Sequence, residues 1–174
     1  MKKIADIIHE LASKEYTYQN QLTTLVHDLN FLKSKKKELV LSHVSQYDMK
    51  IYLPYFPKYH NIEEVETTYE CNRIHILNLS DPYTEEDDTE YMDKLECIRS
   101  NIKKKRVLID ILNKKLITIK AWFDCIEYVN GLQGPSIKGL IQTKIDEKYY
   151  TTNQNVCLYN QGKKAAFKAL LEFF

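Results

Sequence analysis

Two short runs of basic residues are the groups in this sequence that most clearly could bind a ligand, because clustered cations bind the phosphates of nucleic acids. The runs are Lys33-Ser34-Lys35-Lys36-Lys37 and Lys103-Lys104-Lys105-Arg106. Consecutive charges wrap around a helix, so the simplest interpretation is a solvated face that is partly paired with acidic side chains. The alternative is contact with a nucleic-acid backbone, for which six residues are candidates. These candidates are Lys35, Lys36, Lys37, Lys103, Lys104 and Arg106.

Other chemical groupings in the sequence favour structural roles. The acidic cluster between Glu85 and Glu90 lies at the start of a predicted helix, where negative charge complements the helix dipole. No two of the five histidines have the spacing of metal ligands, and the four cysteines include no Cys-x-x-Cys pair. All four glycines lie at or after Gly131, so residues 1–130 contain no glycine-rich phosphate loop. The sequence therefore predicts no catalytic, cofactor-binding or metal-binding residue and no enzymatic activity.

The overall composition is that of a folded domain without a dominant charge. The 174 residues include 25 Lys or Arg and 24 Asp or Glu, and the net charge is +1. An apolar fraction of 44% excludes intrinsic disorder, and no window of about 18 apolar residues could span a membrane. Asp6, His9 and Glu10 interrupt what would be the apolar region of a signal peptide. We therefore expect a cytoplasmic protein with reduced cysteines.

Two segments repeat apolar residues at alternating spacings of three and four, which is typical of the seam of a coiled coil. Glycine and proline are absent from both segments. The first set of positions is Ile8, Leu11, Glu15, Tyr18, Leu22, Leu25, Leu29, Leu32, Lys36 and Leu39. The second set is Leu95, Ile98, Ile102, Lys105, Ile109, Leu112, Leu116, Ile119, Phe123 and Ile126.

These patterns predict one helix over about 3–45 and another over about 83–130, which ends at Asn130-Gly131. The two helices have comparable lengths, so we expect them to pair antiparallel as a hairpin. If they do, Lys35 should lie opposite about residue 94 and Lys104 opposite about residue 25. The first basic run would then face the acidic start of the second helix.

A β-like insert over about 48–80 separates the two predicted helices. Its first half combines prolines with an aromatic cluster, and aromatic residues dominate interface hot spots. The partner-binding candidates in it are Tyr52, Tyr55, Phe56 and Tyr59. After Gly134-Pro135, apolar residues at helical spacing predict two short helices, from Ser136 to Lys148 and from Val156 to Phe174. The terminal pair Phe173 and Phe174 adds two further partner-binding candidates, because such residues are rarely left in water.

Two resemblances bear on function. The order helix, β element, helix resembles prefoldin subunits in architecture. The stretch Leu158-Tyr159-Asn160-Gln161-Gly162-Lys163-Lys164-Ala165-Ala166-Phe167-Lys168-Ala169-Leu170-Leu171, after a helix that contains Leu140-Ile141, is similar to the ending of small phage-encoded helical proteins. This second likeness covers residues 135–172 and implies a phage or prophage protein.

The sequence thus predicts a mainly α protein with a coiled-coil hairpin over 1–134, including the small β element, and a helical pair over 135–174. The leading functional prediction is a non-enzymatic assembly or adaptor protein of a phage particle. Its partners would be other copies of itself and other structural proteins, with no membrane and no small-molecule substrate. One alternative is a nucleic-acid-binding accessory protein that also uses Lys163, Lys164 and Lys168. The other alternative is a prefoldin-like holdase chaperone.

Overall fold

The protein is mainly helical. A computed structural model describes residues 3–46 and 85–174, and within these ranges the chain forms four α helices and no strand. The helices are α1 (Ile4–Gln46), α2 (Glu85–Asn130), α3 (Ile137–Asp146) and α4 (Gln154–Leu171). The β-like insert predicted over 48–80 lies outside the described residues and stays a prediction. None of the described helices is both long and apolar enough to span a lipid bilayer.

The apolar repeats explain why α1 and α2 form where they do. Every predicted seam position on α1 is half-buried, and every one on α2 is buried or half-buried. This includes the polar positions Glu15, Lys36 and Lys105. Because these stretches contain no glycine or proline, nothing interrupts the backbone hydrogen bonds of either helix. The helix bounds differ from the predicted ones by no more than the usual fraying at helix ends.

The chain divides into two compact units. The first unit consists of Met1–Leu25 together with Val107–Phe174, and the second unit consists of Val26–Arg106. Both α1 and α2 therefore contribute residues to each unit. The helices α3 and α4 belong to the first unit.

In the second unit, residues of α1 and α2 contact each other in antiparallel order. The Lys105 ammonium binds the Asp28 carboxylate at 2.9 Å, and the rings of His43 and Tyr91 stack with centroids 3.7 Å apart. Among the described residues of this unit, Val40, Tyr91, Leu95 and Ile102 are buried. The register corrects our expectation, because Lys104 was expected opposite about residue 25 and the adjacent Lys105 instead meets Asp28. The difference is about one helical turn.

In the first unit, a hydrophobic core joins all four helices. Its buried members are Cys125, Ile126 and Val129 from α2, Ile141 from α3, and Ala166, Phe167 and Leu170 from α4. Apolar residues from the start of α1, including Ile7 and Leu11, pack against this cluster. The Phe167 ring meets the Tyr128 ring edge to face, with centroids 5.7 Å apart. The two short helices are thus held on the end of α2 by burial of apolar surface.

Local hydrogen bonds explain where α2 ends and where α4 begins. The Gly131 N–H donates to the carbonyl oxygens of Glu127 and Tyr128, and Gly134 adopts φ 102°, a left-handed conformation that glycine tolerates. The last helix begins at Gln154, two residues before the predicted start. The reason is that the Asn153 side chain accepts hydrogen bonds from the N–H groups of Asn155 and Val156 and so caps the helix.

Candidate functional site

A groove between α1 and α2 in the second unit brings the two basic runs together. Six cationic side chains line this groove of about 490 Å³, which we call the basic groove. They are Lys33, Lys36 and Lys37 from α1, and Arg99, Lys103 and Arg106 from α2. Ser34 and the buried Ile102 complete the lining. Such a concentration of cations in one groove creates a local positive potential that the near-zero net charge conceals.

Three acidic side chains of the second unit pair with lysines that do not line the basic groove. Lys35 pairs with Glu38 at 3.4 Å, Lys94 with Glu90 at 2.5 Å, and Lys105 with Asp28 at 2.9 Å. No acidic residue of the described ranges lines the groove. Within the part of the chain that the structure describes, Lys33, Lys37, Lys103 and Arg106 make no ion pair. The charges of these four residues are therefore not neutralised by any acidic group among the described residues.

Four of the six nucleic-acid candidates line the basic groove, namely Lys36, Lys37, Lys103 and Arg106. Lys35 instead pairs with Glu38 and lies over the Phe31 ring, with Nζ 5.5 Å from the centroid. Lys104 is exposed and does not line the groove.

Sequence reasoning did not select Lys33 and Arg99 as candidates. Arg99, Lys103 and Arg106 lie four and then three residues apart, which places them on one helix face. That spacing could have identified Arg99.

A second groove, in the first unit, is lined mainly by aromatic and aliphatic residues. Tyr18 from α1, Trp122 from α2 and Phe173 after α4 are the aromatic residues that line this groove of about 570 Å³, which we call the aromatic groove. Ile7, Leu11 and Ile119 add aliphatic surface, and Lys14, Lys115 and Glu172 are among its charged lining residues. The Lys115 ammonium lies 5.0 Å from the centroid of the Tyr18 ring. A concave apolar surface with aromatic anchors is typical of protein interfaces.

Only two of the predicted partner-binding residues can be located. Phe173 lines the aromatic groove, whereas the neighbouring Phe174 does not and is 43% exposed. Tyr52, Tyr55, Phe56 and Tyr59 lie outside the described residues. Sequence reasoning did not select Tyr18 or Trp122, because both lie within helical patterns that also fit simple core packing.

The surface of α2 in the first unit carries a small apolar patch that the sequence analysis did not single out. Val107, Leu108 and Ile111 are 52%, 46% and 42% exposed. Ile111 lies four residues after Val107 and three after Leu108, so the three side chains share one face of the helix. We call these three residues the apolar patch. It has no residue in common with the lining of the aromatic groove.

The lysines at the C-terminal end interact mainly with aromatic rings. Lys163 Nζ lies 5.3 Å and 5.7 Å from the ring centroids of Tyr149 and Tyr159, and Lys164 Nζ lies 5.9 Å from that of Tyr149. The Tyr159 hydroxyl donates to Asp124, which raises the pKa of Tyr159 to about 12. Lys168 is exposed. Lys163 and Lys164 thus pack the last helix against the loop that precedes it, and neither of them lines the basic groove.

Three of the four cysteines can be placed, and only one of them is buried. Cys97 and Cys157 are exposed, and Cys125 is 1% exposed, with its thiol donating to the Lys163 carbonyl oxygen at 3.7 Å. Burial raises the pKa of the Cys125 thiol to about 12. In the described ranges, no group of three His, Cys, Asp or Glu side chains could hold a metal ion.

The raised pKa of Cys125 predicts a difference in thiol reactivity. At pH 8 we expect a thiol-specific alkylating agent to label Cys97 and Cys157 rapidly and Cys125 only when the chain unfolds, because the thiolate is the reactive form. The same shift makes stability depend on pH. In the unfolded chain the Cys125 thiol has its ordinary pKa of 9.0, so its contribution to the free energy of unfolding is intact below pH 9. That contribution is lost as pH rises toward 12, because the unfolded chain gives up the proton first. Peptide mapping by mass spectrometry checks the labelling, and rapid native labelling of Cys125 would contradict its burial.

Comparison of the chain with protein-family models, curated proteins and solved structures gave no match.

Proposed function

We propose that the chain is a non-enzymatic helical assembly protein that acts through protein–protein contacts, as an adaptor or structural component of a phage particle. The assignment to a phage particle rests on the resemblance of residues 135–172 to small phage-encoded helical proteins. The proposed contact rests on one structural observation. The first unit carries an apolar groove with three aromatic anchors, together with a separate apolar patch.

We further propose that α1 and α2 pair as an antiparallel coiled-coil hairpin. The seam positions support this pairing, because each of them is buried or half-buried. The cross-helix contacts also support it. Within the second unit, Asp28 meets Lys105 and His43 meets Tyr91, and within the first unit Tyr18 meets Lys115. A paired helical hairpin suits an assembly function, since it presents long outer faces to neighbouring molecules.

The proposed occupant of the aromatic groove is the apolar patch of a second copy of this chain. An apolar helix face that enters a hydrophobic groove is a recurrent mode of protein recognition. The groove offers Tyr18, Trp122 and Phe173, and the patch offers three branched aliphatic side chains on one helix face. Because the groove and the patch share no residue, one copy can contact two neighbours. Such a head-to-tail contact produces rings or open chains of subunits.

The first test is the absolute mass in solution, measured by light scattering over a range of protein concentrations. We expect the wild type to form species larger than the single chain of 20.6 kDa. A charge within the patch, Leu108→Lys with Ile111→Lys, should return the mass to that of one chain. Phe173→Lys within the groove should have the same effect. The controls are Asn113→Lys, at an exposed polar position of α2, and Phe174→Lys beside the groove, and both should leave the assembly intact.

Mixing the two defective variants tests the head-to-tail arrangement specifically. The patch variant keeps an intact groove and the groove variant keeps an intact patch, so together they can form one contact. We expect each variant alone to be a single chain and their mixture to form a 1:1 heterodimer. The absence of a heterodimer would contradict the proposed contact, as would a wild type that stays a single chain at every concentration.

A further inference from the structure

We propose that the basic groove binds the phosphodiester backbone of a nucleic acid. The groove is a second binding surface, with a chemistry opposite to that of the aromatic groove. It lies within one chain, between two helices of the second unit, so the proposal does not depend on association between copies. Three observations carry it: the number of cations, their arrangement along the two helices, and the lack of acidic groups among the described residues of the wall.

The arrangement of the cations matches an elongated anion. On α2, Arg99, Lys103 and Arg106 follow one helix face over about 10 Å at the helical rise of 1.5 Å per residue. On α1, Lys33, Lys36 and Lys37 line the same groove over about one turn. One nucleic-acid strand carries a charge about every 3.4 Å along a duplex. The groove therefore has room for roughly three consecutive phosphates of one strand.

The like charges of the groove also favour an anionic ligand. Four of them, on Lys33, Lys37, Lys103 and Arg106, make no ion pair with a described residue, and repulsion between like charges opposes folding. Nearby lysines outside the groove are neutralised by Glu38, Glu90 and Asp28, as their ion pairs show. No described acidic residue lines the groove itself. A bound polyanion would relieve this repulsion and would gain free energy from the release of its counterions.

The lining indicates how the nucleic acid is recognised. Among the described residues it consists of Lys, Arg, Ser and one buried Ile, with no aromatic ring for stacking on a base and no Asn or Gln for pairing with adenine. We therefore infer that the contact is mainly with the backbone. If the roughly three phosphates that fit the groove are neutralised, the logarithm of the affinity should fall against the logarithm of salt concentration with a slope of about −3 for duplex DNA.

The experiment measures binding of the full chain to a fluorescein-labelled mixed-sequence DNA duplex by fluorescence anisotropy at several salt concentrations. We expect an affinity that falls by about 40-fold between 50 and 200 mM salt. The double variant Lys103→Glu with Arg106→Glu should weaken binding at 50 mM salt by at least about tenfold and reduce the slope by about 2. The matched control, Lys120→Glu with Lys148→Glu, makes the same change of charge at exposed positions outside the groove. It should weaken binding much less.

Several results would overturn the proposal. One is the absence of binding at 50 mM salt, and another is an equal loss of affinity in the two double variants. Competition distinguishes the sources of anionic charge. If inorganic tripolyphosphate or poly-glutamate displaces the duplex at the same total charge concentration as unlabelled duplex does, the groove is a general anion site and the nucleic-acid assignment is wrong. Circular dichroism of each variant verifies that the helices remain folded.

Discussion

Replacing Phe167 with alanine is expected to lower the free energy of unfolding by about 3–5 kcal/mol, which is the usual cost of removing a buried phenylalanine ring. Phe167 is 2% exposed and belongs to the core cluster that joins the four helices of the first unit. The substitution removes the edge-to-face contact with Tyr128 and leaves a cavity between α2 and α4. Chemical denaturation monitored by circular dichroism, at a fixed protein concentration, measures the change.

Phe174→Ala is the matched control for this prediction. Phe174 is the same type of residue, seven positions further along the chain, and is 43% exposed. Its removal should change the free energy of unfolding by about 1 kcal/mol or less, because surface substitutions rarely do more. Equal losses for Phe167→Ala and Phe174→Ala would mean that the described core of the first unit is wrong.

The second large effect is expected at Gly162, where α4 crosses close to α2. A Cβ atom built on Gly162 would lie 3.1 Å from the Ala121 Cβ and 3.6 Å from the Thr118 Cα. Gly162→Leu should therefore lower the free energy of unfolding by about 2–3 kcal/mol, because overpacking outweighs the gain in helix propensity. The same denaturation measurement detects this loss.

Gly139 provides the comparison for Gly162, since it also lies within a helix but a Cβ there would meet nothing within 4 Å. Gly139→Leu should raise the free energy of unfolding by up to about 1 kcal/mol through helix propensity alone. The two substitutions are thus expected to have opposite signs. A stabilising Gly162→Leu would show that α4 does not approach α2 as closely as described.

The helices themselves could be predicted from the sequence because their apolar repeats are long and uninterrupted. The seam positions from Ile8 to Leu39 and from Leu95 to Ile126 fix which face of each helix is buried. Periodicity cannot fix the register between the helices, however, because sliding one helix by a turn preserves the apolar pattern. Individual pairs such as Asp28 with Lys105 and His43 with Tyr91 set the register. Of these four residues only Lys105 occupies a seam position, and it is a polar one, so the apolar repeat does not identify either pair.

The candidate sites were only partly predictable for the same reason. With the expected register, the two basic runs would have lain about ten residues apart in height, roughly 15 Å. The observed register brings them nearer, and Arg99 then joins Lys103 and Arg106 around one groove. The aromatic groove depends on how α4 returns to the start of α1, which no local pattern specifies. Phe173 was predicted as a partner-binding residue from its terminal position, but Tyr18 and Trp122 could not be distinguished from core residues.

The most direct test of this account is whether Asp28 lies beside Lys105, because this register assembles the basic groove. A carbodiimide joins a carboxylate directly to a neighbouring amine, and the two groups are 2.9 Å apart. After treatment, the band of single-chain mass is digested and analysed by mass spectrometry. We predict a cross-link between Asp28 and Lys105 in wild type that is lost in Asp28→Asn. A single-chain band in which Asp28 is linked only to other lysines would contradict the register and, with it, the basic groove.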